Sequence, residues 1–145
     1  MTGVQACALP ICETAGELLL DRLLIEAFGK SAGSVTSVLR SAPSLGGAIE
    51  ADALDIGLDK VATLTDPGVD CRGLLLGSSS DKFIEEYEAA DLVIAKGQAA
   101  FETLEGASGG SSKEKKAVFF LLRAKCAVIA GELGVSPGDC VVERN

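Results

Sequence analysis

Ala90-Asp91-Leu92-Val93-Ile94-Ala95-Lys96-Gly97 is the stretch on which the fold turns. Leu92 to Ala95 is apolar at every position, without the polar alternation of a strand that faces water on one side. It therefore reads as a strand covered on both faces, as in a parallel sheet. A lysine and then a glycine follow at once, so the chain leaves the strand through a turn that carries a positive charge.

The neighbouring segments extend the pattern in both directions. Ser80 is placed to cap a helix running to about Ala90, with Phe83, Ile84 and Tyr87 on its inner face. Downstream, Gly106 to Ser112 reads as a loop. Val118 to Leu122 is a second buried strand, Lys125 to Leu133 a short helix and Cys140 to Val142 a last strand. Toward the N-terminus, Thr14-Ala15-Gly16-Glu17 has the form of a capping box, a hydroxyl followed three residues later by a carboxylate. Leu19, Leu20, Leu23, Leu24, Ala27 and Phe28 follow at helical spacing and predict a wide buried stripe, ended by Gly29. Ser34 to Leu39 reads as a strand, Ala42 to Gly47 as a loop, and Glu50 to Leu58 as a short helix weakened by Gly57. Val61 to Leu64 reads as a strand closed by the turn Asp66-Pro67-Gly68. Leu74 to Leu76 is apolar but ambiguous. Strands and helices alternate throughout, which predicts an α/β fold: a three-layer α/β/α domain with a mainly parallel sheet.

Composition limits the chemistry. The chain has 145 residues, 48% of them hydrophobic, enough for the core of one domain. Its net charge of −8 argues against a nucleic-acid surface. The basic knot Lys113, Lys115 and Lys116 is interrupted by Glu114 and reads as a solvated loop. There is no histidine, which removes the Ser-His-Asp, Cys-His and HExxH systems. Any catalysis must use carboxylates, lysines, hydroxyls or a hard metal ion. The cysteines are five, an odd number without CxxC spacing, which suits a reducing, cytoplasmic location better than a disulfide framework. The longest apolar stretch, Ala117 to Ala130, contains Arg123 and Lys125 and is too short and too charged to span a bilayer, so no membrane partner is expected.

Residues 2–11, Thr-Gly-Val-Gln-Ala-Cys-Ala-Leu-Pro-Ile, are similar to the translation of a sequencing-library adapter, with Ala6 where that peptide has Thr. Residues 1–12 are accordingly expected to be an artefactual leader, and 13–145 a fragment that lacks the strand leading into Glu13. Pro10 supports that expectation, since proline cannot donate to the ladder of a central strand.

Ligands of open α/β sheets bind at the carboxyl ends of strands. Three segments fall there: Glu13 to Glu17, Pro43 to Gly47, and Lys96 to Glu102. Lys96 is placed to meet a phosphate as a point charge, although a lysine at a strand end is more often only solvated.

These segments carry a family resemblance. Ala90 to Gln98 followed by Phe101-Glu102-Thr103-Leu104 is similar to the most recognisable motif of the damage-control phosphatases. Glu13 to Glu26, with Ala15-Gly16-Glu17 and Asp21 to Glu26, resembles that family's metal-loop helix. Phe119 to Cys126 resembles a third block. The resemblance implies metal-dependent hydrolysis of small phosphorylated metabolites such as sugar phosphates, with Mg²⁺, Mn²⁺, Co²⁺ or Ni²⁺ as cofactor. It implies Lys96 and Lys125 as catalytic groups, Gly97 and Glu102 as substrate-binding groups, and Glu13, Thr14 and Asp52 as the remaining metal positions. Three departures follow the same comparison. Glu13-Thr14 stands where the family has Asp-Asn, Gly46-Gly47 where it has Asn-Asp, and Ala100 where it has Asn. The longer Glu13 side chain disturbs an octahedral site that tolerates little distortion. Thr14 offers a weaker ligand, and Gly47 offers only its backbone. The expectation is a phosphatase domain with a weakened or lost metal site. The alternative is a catalytically inactive homologue serving as a phosphometabolite- or protein-binding scaffold, with the oligomeric state left open.

Overall fold

A computed structural model of the chain describes residues 6–40, 42–43, 46–106 and 116–145. The basic knot at Lys113 and Lys115, residues 44–45 of the second loop and most of the Gly106–Ser112 loop lie outside the described residues. The elements run β1 (Cys7–Ile11), α1 (Leu18–Gly29), β2 (Ser34–Val38), α2 (Glu50–Asp55), β3 (Thr63–Thr65), α3 (Asp81–Ala89), β4 (Leu92–Lys96), α4 (Gln98–Leu104), β5 (Val118–Arg123), α5 (Ala127–Leu133) and β6 (Cys140–Arg144). They build one sheet in the order β3-β2-β1-β4-β5-β6. All pairings are parallel except β5 with β6. An α/β domain with a mainly parallel sheet is what the apolar run at Leu92 implies. Its middle residues Val93, Ile94 and Ala95 are buried on both sides.

The sheet has a separate core on each face. Ala8, Cys12, Val35 and Leu39 pack with Leu18 and Ile25 of α1 and Ala53 of α2. Leu9, Ile11, Val93 and Phe120 pack with Phe83 and Tyr87 of α3 and Phe101 of α4 on the other face. Phe101 meets Phe120 edge to face, with ring centroids 5.1 Å apart. Successive β1 residues thus serve opposite layers, as the period of two requires.

Two expectations need correction. Residues 1–12 were set outside the fold, yet Cys7–Ile11 is a central strand, paired with β2 on one edge and β4 on the other. Pro10 is buried within it. The ladder to β4 is continuous from Ala8 to Ile11. The ladder to β2 pairs Cys7, Ala8 and Ile11 and skips Pro10. In a parallel strand the N–H groups point alternately to the two neighbours. Cys12 N donates to Val38 O of β2 at 3.1 Å, so the missing Pro10 donor belongs to the β2 side, where the ladder is interrupted. Pro10 thus withholds one donor from the β2 ladder and none from the β4 ladder.

The second correction concerns α1. Leu19, Leu20 and Leu23 are 61–66% exposed, while Leu18, Asp21 and Ile25 face the core. Apolar residues surround most of this helix, so their spacing did not single out one face. The capping box does not form either. Thr14 occupies the N-cap of a single 3-10 turn, Ala15–Glu17, without a side-chain bond, and Glu17 turns toward Lys96 instead.

Smaller differences have local causes. Gly57, at φ +69°, ends the short helix and opens a second turn over Leu58–Lys60, and this delays β3 to Thr63. Ser80 caps α3 as expected, accepting from Phe83 N at 3.3 Å. The helix α4, read from sequence only as a ligand-bearing segment, follows β4 directly.

Candidate functional site

The strand order reverses between β1 and β4. From β1 the chain moves to α1 on one face, and from β4 to α4 on the other, so their carboxyl ends part and leave a crevice. The residues after Ile11 and after Ala95 line it.

The first wall is Cys12-Glu13-Thr14. Thr14 pairs with Gly47 in an isolated antiparallel bridge. Ala15 N donates to Gly46 O at 3.0 Å, and Ala48 N donates to Glu13 O at 3.4 Å. Residues 13–15 and 46–48 therefore lie side by side. The second wall is Lys96-Gly97. Gly97 has φ 84° and ψ 160°, a region that only glycine enters without strain. It also leaves room for its neighbour, because a Cβ there would overlap the Glu13 carboxylate. All three loops singled out from sequence thus meet at one edge of the sheet.

Lys96 is held from the α1 side. Its Nζ donates to Asp21 Oδ1 and also reaches Glu17 Oε2 at 3.3 Å. Burial alone would lower its pKa, but the Asp21 hydrogen bond and the Asp21 and Glu17 charges outweigh that, and the ammonium is held above its ordinary range. Asp21 was not selected from sequence as a site residue. Its signal was a carboxylate between Leu18 and Ile25, on what became the buried face of the helix. Behind it, Cys12 Sγ lies 3.3 Å from Ser37 Oγ. Burial, and then the Asp21 charge, push the Cys12 thiol up to about 12, so it is neutral and inert as a nucleophile.

Lys125 and Glu102 are linked to this edge through Gln98. Gln98 Oε1 accepts from Lys125 N at 3.0 Å, and Gln98 Nε2 donates to Glu102 Oε1 at 2.7 Å. The Lys125 side chain, exposed, lines a cleft of about 330 Å³ together with Glu13, Glu17, Lys96, Gly97 and Arg123. Three cations and two carboxylates therefore face one another. Glu102 is not part of the cleft lining. On the opposite side of Glu13, toward Arg40 and Cys71, the free space is about 20 Å³, room for one water.

Among the described residues, the side chains expected to hold a metal ion do not gather into one group. Asp52 accepts from Ile49 N at 3.1 Å and caps α2, and it lines neither space beside Glu13. Glu17 and Asp21 are both engaged by Lys96. Gly46 and Gly47 bring no side chains. Among the described residues no three carboxylate or thiol groups converge as metal ligands. Among the described residues at this edge, Glu13 and Thr14 are the oxygen-bearing side chains of the first loop that Lys96 does not engage.

Fold and site together define a class: a doubly wound α/β protein with a charged cleft at its topological switch point. The comparisons with known proteins narrow it. The family model of the damage-control phosphatase ARMT1-like domain matches residues 4–141. An uncharacterised protein of Methanocaldococcus jannaschii is 36% identical over 134 residues, 92% of this chain and 43% of its own length. A damage-control phosphatase of Archaeoglobus fulgidus is 34% identical over 134 residues, 92% of this chain and 44% of its own. The crystal structure of a DUF89 family protein from Pyrococcus horikoshii superposes with a TM-score of 0.86 at 33% identity, covering 97% of this chain and 47% of that one. The chain belongs to the ARMT1-like damage-control phosphatase family. It spans less than half the length of these relatives. No described helix is long and apolar enough to cross a membrane.

Proposed function

We propose that this domain binds small phosphorylated metabolites, such as sugar phosphates, and hydrolyses their phosphate esters, with a divalent-ion site weaker than its family's. The observation that carries the reading is the sharing of one switch-point cleft by Lys96, Lys125 and Glu13. Two ammonium groups offset phosphoryl charge, which is the main demand of phosphoryl transfer. Gly97 and Gln98 fix the strand end from which Lys96 projects, and Gln98 anchors the backbone of Lys125. Glu13, which lines the same cleft with its carboxylate beside Gly97, is the group assigned to take a proton from an attacking water. Of the positions expected to bind metal, Glu13 and Thr14 lie at this edge, whereas Asp52 caps α2 and is left out of the proposed ion site. Glu102 acts through Gln98, holding its amide in place. A cytoplasmic location belongs to the same proposal, supported by five cysteines that are all free.

The test is hydrolysis of p-nitrophenyl phosphate by the purified chain, with and without added Mn²⁺ or Co²⁺, beside Lys96→Met and Lys125→Met. Slow turnover that both substitutions lower supports the proposal. Turnover with Mn²⁺ at the rate of full-length relatives refutes the weakened ion site. Failure to bind inorganic phosphate refutes the phosphometabolite reading altogether. A second reading, a scaffold that binds phosphometabolites without turnover, is favoured by the two glycines at 46–47 and by the engagement of Asp52 in a helix cap. Phosphate binding with no hydrolysis in any metal selects it.

A further inference from the structure

Asp21 is the one charged residue buried among those described, 3% exposed, and it occupies a core-facing position of α1 between Leu18 and Ile25. Packing alone would favour an apolar side chain there. A charge at such a position is costly unless its oxygens are fully partnered. For Asp21, Oδ1 accepts from Lys96 Nζ, and the Cys12 thiol hydrogen-bonds to the same carboxylate.

The partner lies at the cleft. The Lys96 side chain is 16% exposed and lines both the 330 Å³ cleft and the narrow space behind Glu13. Lysine has a flexible four-carbon stem, and a free lysine at a strand end would spread its charge over many positions. Here the carboxylate fixes the ammonium before any ligand arrives, which is how a binding site avoids ordering costs at the moment of binding. Glu17, in the 3-10 turn just before α1, adds a longer and more exposed contact, with 53% of its side chain open to solvent.

We propose that Asp21 is a positioning residue, which holds the Lys96 ammonium at the carboxyl end of β4 so that an incoming phosphoryl oxygen meets a fixed charge. The inference rests on the reading of the cleft as a phosphoryl site. Asp21 touches no ligand itself. The charged and titratable groups around Lys96 among the described residues are Asp21 from α1, Glu17 from the turn before it, Cys12 and Glu13 from the loop after β1, Arg40 after β2, Cys71, and Arg123, Lys125 and Cys140 across the cleft.

The test uses Asp21→Asn and Asp21→Leu in the full chain, beside Lys96→Met. One measurement is the pH dependence of Lys96 acylation, followed by peptide mass spectrometry. The other is calorimetric titration with inorganic phosphate. In Asp21→Asn the Lys96 amine titrates at lower pH than in the wild type, and phosphate affinity falls about tenfold. Asp21→Leu keeps the folded core because it places an apolar group among Leu18 and Ile25, and it gives the same two results if Asn misfolds. Unchanged Lys96 titration in both variants overturns the proposal. So does unchanged phosphate affinity in both variants where Lys96→Met abolishes it. If Lys96→Met leaves phosphate binding intact, the cleft reading fails and takes the phosphoryl role of Asp21 with it. The amine titration still reports separately whether Asp21 holds the lysine.

Discussion

Replacing Gly97 by alanine tests the geometry of the whole cleft edge. Two independent penalties are built into that position. The backbone, at φ 84° and ψ 160°, lies in a region that costs a residue with a Cβ about 1–3 kcal/mol. The new methyl also overlaps the Glu13 carboxylate, the far end of a flexible side chain, whose displacement from its rotamer costs about 0.5–1.5 kcal/mol. Together they predict a loss of about 1.5–4.5 kcal/mol, a fall of about 1–2 M in the urea midpoint for a domain of this size. Glu13→Ala removes the overlap but leaves the backbone strain. In that background Gly97→Ala costs less than in the wild type by the side-chain share, a coupling of about 0.5–1.5 kcal/mol. Four urea titrations, with slopes checked for constancy, complete the cycle. A cost below about 0.5 kcal/mol for Gly97→Ala, the range of ordinary surface changes, would refute the backbone assignment. Equal costs in the two backgrounds would refute the contact between Glu13 and Gly97.

Three further outcomes follow from the same structure. Leu20→Gln or Leu23→Gln changes stability by less than about 0.5 kcal/mol because both side chains are already exposed, whereas Ile25→Ala, at 0% exposure, costs about 2–5 kcal/mol; comparable losses on chemical denaturation would return the buried face to the leucines. The Cys12 thiol ionises near 9.0 when unfolded and about 12 when folded, so between those values the native state holds a proton that the unfolded chain has shed. Stability therefore falls as pH rises through that window, by up to about 4 kcal/mol, and Cys12→Ala flattens the slope; an unchanged slope in urea titrations from pH 8 upward contradicts the burial of the thiol. Lastly, the combined variant Glu13→Asp, Thr14→Asn, Gly46→Asn and Gly47→Asp restores the family's residues at the two paired loops. It gains a thermal shift with Mn²⁺ equivalent to about 2.7 kcal/mol at a hundredfold excess over its dissociation constant, while the natural chain shows little. A large shift in the natural chain shows instead that Glu13 and Thr14 suffice.

Local patterns identified several elements well because each has a local cause. Leu92 to Ala95 is apolar at every position, and only a strand with both faces covered uses such a run. Ser80 caps its helix through its own hydroxyl, three residues from the amide it accepts from. Where the cause was not local, the reading went astray. Pro10 argued against a central strand because the rule counts a missing donor without knowing which neighbour would have received it. The structure confines that loss to the β2 edge. Leucines on nearly every side of α1 gave no preferred face; in the fold Leu18 and Ile25 pack on the sheet, and the same face brings Asp21 to Lys96, 75 residues away in sequence.

The same division runs through the candidate site. The order of residues alone determined that strands alternate with helices, that a lysine and a glycine end a buried strand, and that no histidine is present for catalysis. It also placed the candidate ligands on three loops. Only the tertiary structure decided that Glu13 rests on Gly97, that Asp52 is engaged in capping, and that Asp21 rather than an apolar residue faces the core. Periodicity and turn chemistry act between residues a few positions apart, so they can be read along the chain. Contacts across a sheet depend on strand order, and two residues far apart in sequence acquire a common neighbour only when the strands are laid side by side.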